Sequence, residues 1–384
     1  MNFDHVNALV QSALGVAFPA AQGVIWHRGE CVYDQAAGWR DPDTRVKPID
    51  AHTRFDLASV SKLFTVAAFM RLVDAGKVAL DQPVSSVLLA LSGLRPIQPQ
   101  PDPAGSGAFI EVVPATTETV DAGRTTFRHL LTHTSGLPAW LPLWKEARAM
   151  QQRGVPADAL QQHLRNMALG SAFAYPAGAR VVYSDIGLIL TGWAMEQIAG
   201  QPLDAVVREQ VTVPLGLDSI GYGPIPCETA APTEYYKHQG RRMCGEVHDE
   251  NAWALNGVAG HAGLFAHARD VAALGEALRL SLAGEPSFLK RETLQEMTRL
   301  QAQDGDVRRG VGFALWSPNP HAMSHALSPG AFGHLGFTGT ALWIDPEREL
   351  TFACLTNHIY FGREGADTMT PFRAALSKAI IGAI

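Results

Sequence analysis

Ser59 and Lys62, three residues apart, are of types and spacing that suit covalent catalysis. On a helix, positions i and i+3 share a face, so this hydroxyl and this amine can come within hydrogen-bond reach. A serine hydroxyl is a weak nucleophile until a neighbouring base takes its proton. A lysine desolvated inside an apolar helix loses basicity from its usual ~10.4, which is how it becomes such a base. A helix start adds unpaired N–H groups and the positive end of the dipole, both of which favour an oxyanion. The residues after Lys62, Leu63-Phe64-Thr65-Val66-Ala67-Ala68-Phe69-Met70, are apolar enough to be buried on most sides. The alternative for Lys62 is a buried amine with a purely structural partner. The same pattern recurs at Ser287 to Lys290, but there it follows Pro286 and runs into Arg291-Glu292, the polar start of a solvated helix.

Three further stretches carry polar groups where a cleft needs them. Tyr183-Ser184-Asp185 follows Pro176-Ala177-Gly178 and begins an apolar helix, a loop-to-helix junction from which side chains can be aimed inward. For Asp185 the competing role is a helix cap turned away from the pocket. Gly333-His334-Leu335-Gly336-Phe337-Thr338-Gly339-Thr340 enters a strand, and glycines at that density permit close approach of a backbone or ligand. His129 to Leu137 closes a helix at Gly136, with His133 and Thr134 placed to lock the loop that follows. His248-Asp249-Glu250-Asn251, with His261 beyond, offers ligand types without H-E-x-x-H or H-x-H spacing. A hydrogen-bonded loop at a cleft rim is the expectation there, with no metal and no cofactor. Trp140 and Trp144, among Pro138 and Pro142, either line the cleft or cover the core.

The elements that must position these residues are legible in outline. The chain has 384 residues, 47% apolar and 18% charged, enough for one large well-cored unit or two ordinary ones. A net charge of −6, with no basic stripe, excludes a nucleic-acid partner from the expectations. Apolar runs fall short of the ~18 residues a membrane span needs. Met1 to Phe18 lacks Lys and Arg and has helical apolar spacing, so it reads as an amphipathic helix and not a secretory signal. The four cysteines are dispersed, which leads us to expect no disulfide, no thiolate metal site and a cytoplasmic, reducing location. Gly23 to Trp26 and Glu30 to Tyr33 read as a hairpin, and Ala108 to Val113 as a short strand. Helical periodicity covers 127–132, 157–167, 186–198, 203–211, 268–281 and 291–300. Strands follow at 310–316, 339–344 and 350–356, then a closing helix over 371–381. This predicts an α+β chain: an antiparallel sheet domain from residues 1–58 and 306–384, flanked by N- and C-terminal helices, and a mostly helical domain over 59–305. The cleft lies between them.

Taken together, these stretches resemble the serine β-lactamase and penicillin-binding-protein superfamily, in particular class C β-lactamase-like serine hydrolases. That family's S-x-x-K, Y-x-N and K-T-G elements correspond to Ser59 to Lys62, Tyr183 to Asp185 and His334 to Gly336. Leu130 to Leu137 and Gly260-His261-Ala262-Gly263-Leu264-Phe265 are also typical of it, so the likeness spans nearly the whole chain. It implies acyl transfer through a covalent intermediate: Ser59 attacks a carbonyl, Lys62 or Tyr183 takes its proton, and backbone N–H groups of Ser59 and Phe337 hold the oxyanion. It places Asp185, His334, Leu335, Gly336, Gly260 and His261 around the acyl pocket. Two departures bear on substrate. Asp185 stands where the family has Asn, and an ionised carboxylate beside Lys62 shifts the base role toward Tyr183. His334-Leu335 replaces Lys-Thr, removing the cation and hydroxyl that resemble a substrate-carboxylate handle in penicillin-recognising relatives. His334 can hold an anion only when protonated. The implied substrate is a small ester or amide, with no cofactor and the oligomeric state open. The alternatives are a D-alanyl-D-alanine carboxypeptidase or endopeptidase, a β-lactamase, or a non-turnover sensor.

Overall fold

The computed structural model describes all residues except 102–108, 111–118, 237–238, 286–287 and 364–366. Ser287 of the second serine–lysine pair therefore lies outside the described residues. So does most of the strand expected over 108–113, of which Phe109–Ile110 pairs with Gln100–Pro101.

The frame is an eight-stranded antiparallel sheet drawn from both ends of the sequence. Its strands are β1 (Ala20–His27), β2 (Glu30–Gly38), β3 (Ala302–Asp304), β4 (Val307–Arg309), β5 (Ala314–Leu315), β6 (Phe332–Leu335), β7 (Ala341–Asp345) and β8 (Leu350–Thr356). In space the order is β3-β4-β5-β6-β7-β8-β1-β2. The late strands follow one another as a meander, and the early hairpin closes on the last of them, Ala21 opposite Thr356. Period-2 alternation sorts the side chains: Leu342, Ile344, Ala353 and Leu355 face one core, while Ala341, Trp343, Phe352 and Cys354 face the other. The helices Asp4–Ala13 and Met369–Ala383 cover the second face. The helix Ala268–Ala283 covers the first, packing on Leu342 and Thr351. With both faces covered, β8 is buried at every position, its two threonines hydrogen-bonded to Glu276 and Gly339.

The helix Ser61–Asp74 is central to the other half: eleven of its fourteen residues are buried, as an all-round apolar sequence requires. Asp185–Ala199 packs against it; this helix, Ala157–Leu169 and Arg291–Thr298 lie near their expected bounds, and Leu143–Gln152 is a further helix, which the prolines before it concealed. The helix expected over 203–211 is Leu203–Val207, continued by a π turn at Arg208–Thr212 and an α turn at Val213–Leu215. Pro214, without an N–H, cannot sustain the ordinary ladder there. The strand expected over 310–316 shrinks to Ala314–Leu315. The N–H groups of Val311 and Gly312 are instead given to Met297 O (2.8 Å) and Leu131 O (2.8 Å), which ties the sheet edge to the helical half.

One expectation is overturned. Cys227 and Cys244, 17 residues apart, form a disulfide across a loop whose arms also meet through Ile225 N–H to Gly245 O (2.8 Å). Their separation hid a pairing that the loop's return makes local. Cysteine usage thus gives no support for a reducing compartment, because such bonds belong mainly to oxidising ones. Among the described residues, no helix is long and apolar enough to cross a membrane.

Candidate active site

Ser59 sits in a 3-10 turn, Ala58–Val60, immediately before the central helix. Ala58 occupies the left-handed region (φ 45°), where a side chain is unfavourable. The buried Asp56 carboxylate holds this turn by accepting the N–H of Ala58 (2.8 Å) and, on its other oxygen, that of His248 (2.6 Å). Burial pushes the Asp56 pKa up, against the pull of those two donors. From behind, Leu57 N–H reaches Leu264 O (2.9 Å) and Leu264 N–H reaches Ser61 Oγ (3.2 Å). Two distant segments, at His248 and Leu264, therefore pin the turn that carries Ser59.

Lys62, its side chain only 1% exposed, donates to Ser59 Oγ (2.9 Å) and to the His261 carbonyl (2.9 Å), and forms an ion pair with Asp185 Oδ1 (2.8 Å). Burial alone would lower its pKa. The Asp185 carboxylate, and after it the Tyr183 phenol, outweigh burial and hold the pKa above its ordinary value. The amine is thus an ammonium, the reverse of the depressed lysine that burial by itself suggests. Asp185 is not the cap: Ser184 caps the helix by accepting the Gly187 N–H, and Asp185, its first residue, turns to Lys62.

Tyr183 completes the group, with the Lys62 ammonium 5.1 Å from its ring centroid. Its ring lies against His133 (4.6 Å) and His334 (5.9 Å), and the Arg309 guanidinium is 5.4 Å from its centroid. Its hydroxyl is sealed from solvent and has no well-aligned partner among the described residues, though Lys62 and Ser59 stand close enough to favour its ionised form. Burial, the larger influence, raises its pKa. His133 accepts the Ser184 N–H at Nδ1 (3.1 Å), and its carbonyl accepts the Val182 N–H (2.9 Å), so the Leu130 to Leu137 loop positions Tyr183.

The third wall is the turn after β6. Thr338 and Thr340 hydroxyls donate to the carbonyls of Asp56 and Leu57 (2.8 Å each), binding this turn to the segment that leads into Ser59. Arg373 donates to Gly336 O (2.8 Å). The Phe337 ring is 56% exposed and stacks on His248 (5.7 Å), whose imidazole meets Glu234 (2.8 Å) in a rim cluster with Arg363 and Glu250.

Several residues assigned to the pocket serve otherwise. His334 is buried, and its Nδ1–H donates to Leu335 O (2.7 Å). Its pKa is pushed down to about 3, by burial first and then by Lys62 and Arg309, so it supplies no cation for a substrate anion. The Leu335 side chain packs on the opposite face of the sheet. Gly260 is a packing glycine, since a Cβ there would meet Leu188 O at 2.1 Å. His261 touches Lys62 only through its carbonyl, and its ring is paired with Asp249 (2.8 Å). Asp185, Asp249 and His261 bring metal-ligand types within 4.8 Å of one another, and the Lys62 ammonium already contacts this group. Trp140 is 40% exposed next to Ala139, whose carbonyl accepts the Asp185 N–H (2.8 Å); Trp144 packs partly on the core. Asp56, Arg309 and Arg373 had no motif to single them out.

A family model described as beta-lactamase matches residues 6–373. An N-acetylmuramyl-L-alanine amidase of Bacillus subtilis (strain 168) is 30% identical, the match covering 92% of this chain and 80% of that protein. A putative D-alanyl-D-alanine carboxypeptidase of Escherichia coli (strain K12) is 27% identical over 93% and 83%. Among solved structures, EstCE1, a hydrolase with promiscuous acyltransferase activity, shares the fold at TM-score 0.70 and 22% identity, covering 98% of this chain and 97% of its own. A class C beta lactamase does so at TM-score 0.70 and 17% identity, covering 99% and 97%. The family pattern thus runs through nearly the entire sequence, and the chain belongs to the beta-lactamase family of serine hydrolases.

Proposed function

We propose that the protein hydrolyses small esters or amides through an acyl-enzyme on Ser59, with Lys62 and Tyr183 as its proton-handling partners. The observation that carries this reading is the contact of Ser59 Oγ with Lys62 Nζ at 2.9 Å, beside Tyr183 and inside a shell that Asp185 charges. Lys62 already holds its proton, so the base is the phenolate form of Tyr183, favoured by the adjacent ammonium. The phenolate takes the Ser59 proton as Oγ bonds to the substrate carbonyl carbon. The resulting oxyanion lies between the N–H groups of Ser59 and Phe337. The phenol then returns the proton to the departing alcohol or amine, and water repeats the sequence to free the acid and regenerate Ser59. The amidase among the relatives supports amides beside esters as substrates.

A fluorophosphonate probe with peptide mapping tests this. Labelling is expected at Ser59 alone, and Ser59→Ala is expected to lose turnover of p-nitrophenyl butyrate by several orders of magnitude. A Ser59→Ala variant that keeps its activity, or a label elsewhere, refutes the assignment. Nitrocefin run beside the ester separates a β-lactamase from an esterase, and a stable adduct without turnover marks a sensor. Because the Tyr183 pKa is raised, kcat/KM is expected to climb with pH beyond the range where histidines titrate.

A further inference from the structure

The wall around Tyr183 carries one charge that the acyl-transfer chemistry leaves unused. Arg309 ends β4, in register with Ala314 of β5, which in turn faces Gly333 beside His334. Its guanidinium is 5.4 Å from the Tyr183 ring centroid, and its charge opposes protonation of both His133 and His334. The neighbouring arginines are engaged: Arg373 with Gly336 O and Thr340 O, Arg363 with Glu234 and Glu250. Arg309 has no carboxylate in ion-pair range and no hydrogen-bond acceptor among the described residues. Its Nε is sealed from solvent without a partner, while its terminal nitrogens are unbonded and not sealed. Burial lowers its pKa, with only the Tyr183 phenol acting against it. A half-buried guanidinium without an acceptor is costly to keep, which points to an acceptor supplied from outside. Lys62 cannot fill this role, being matched by Asp185, and neither can the neutral His334.

We propose that Arg309 binds a carboxylate on the substrate, so that the ester or amide this enzyme acts on is anionic. The fork of a guanidinium suits a carboxylate through two parallel N–H···O bonds. The anion handle missing at His334-Leu335 is then supplied two strands away, by a residue that no spacing rule connects to it. This inference rests on the Ser59 acyl-enzyme reading and specifies its substrate class.

The test compares p-nitrophenyl hemiglutarate, which carries a carboxylate, with the neutral p-nitrophenyl valerate. The quantity read is the ratio of their kcat/KM values. Arg309→Gln is expected to lower that ratio roughly ten- to a hundredfold, mainly through KM of the anionic ester. Arg309→Lys, which keeps charge without the fork, is expected to fall between. An equal loss on both esters overturns the proposal and leaves Arg309 as a support for Tyr183. Should the variants not fold, the native enzyme still answers: added salt should slow the anionic ester more than the neutral one, and glutarate should inhibit competitively. Equal salt effects together with no inhibition also overturn it. Ser59→Ala, run in parallel, separates the two readings: activity surviving in it refutes the acyl-enzyme, whereas an inactive Ser59→Ala variant beside an unmoved ratio refutes only Arg309.

Discussion

At the scale of single residues, the exchange of an amide for a carboxylate at Asp185 has the largest consequence for the chemistry. A lysine 1% exposed would ordinarily shed its charge, and here the carboxylate at 2.8 Å reverses that outcome. The same carboxylate also raises the Tyr183 pKa, after burial and against Lys62. Asp185→Asn therefore acts on both groups in one direction. Burial then prevails at Lys62 and lowers its pKa, and for as long as Lys62 keeps its charge Tyr183 loses an influence that holds its proton. Both changes carry the rising limb of kcat/KM to lower pH, measured as a pH–rate profile against the native enzyme. A limb that stays in place would show that Asp185 does not govern the base, and one that moves up would show that loss of the Lys62 ammonium beside Tyr183 outweighs loss of the carboxylate. The Ser59 and Lys62 pair was legible in the sequence because its spacing is local, and Tyr183 was expected from the family resemblance. Whether Asp185 turns to Lys62 and holds its charge, or caps its own helix, stayed open, because the two residues are 123 positions apart.

At the scale of elements, the site works as three backbone turns pinned to one another. The turn after β6 hangs from the carbonyls of Asp56 and Leu57 through two threonine hydroxyls, and Gly336 sits where no side chain fits. A Cβ at Gly336 would meet Thr340 Oγ1 at 2.0 Å and Leu57 O at 2.6 Å. Gly336→Ala is thus expected to push Phe337 away from Ser59 and lower kcat by about a hundredfold or more, as loss of an oxyanion donor does, with KM changing far less. Steady-state kinetics check this, and unchanged kcat would remove Phe337 from the oxyanion role. Helices with strong apolar periodicity, such as Asp185–Ala199 and Ala268–Ala283, lie close to their expected bounds. Elements were misjudged where backbone bonds go to distant partners. Gly310 to Gly312 reads as strand, yet it donates to Met297 and Leu131. Gly260 and His261 carry the family pattern, but their work is packing and a carbonyl bond.

At the scale of the molecule, both chain ends build the sheet and the span between them builds the other wall, so the site joins segments near residues 59, 183, 261 and 336. The disulfide Cys227–Cys244 closes a loop beside this assembly, with the Arg40 guanidinium donating to the Cys227, Glu228 and Ala230 carbonyls at its base. Closing a loop of 17 residues stabilises by roughly 3 kcal/mol on the chain-entropy account. Cys227→Ser, or reductant added to the native protein, is expected to lower the thermal midpoint by several degrees, as calorimetry would record. Identical midpoints in both redox states would mean that the bond contributes nothing. The sequence by itself determined the fold class and brought Ser59 and Lys62 forward as a pair, since periodicity and short motif spacing are properties of neighbours along the chain, while the family resemblance supplied Tyr183 as their expected partner. Tertiary structure alone decided the charge of Lys62, the neutrality of His334, the cysteine pairing and the place of Arg309. Each of these depends on burial and on which distant groups come within a few ångströms, and linear order does not encode those distances.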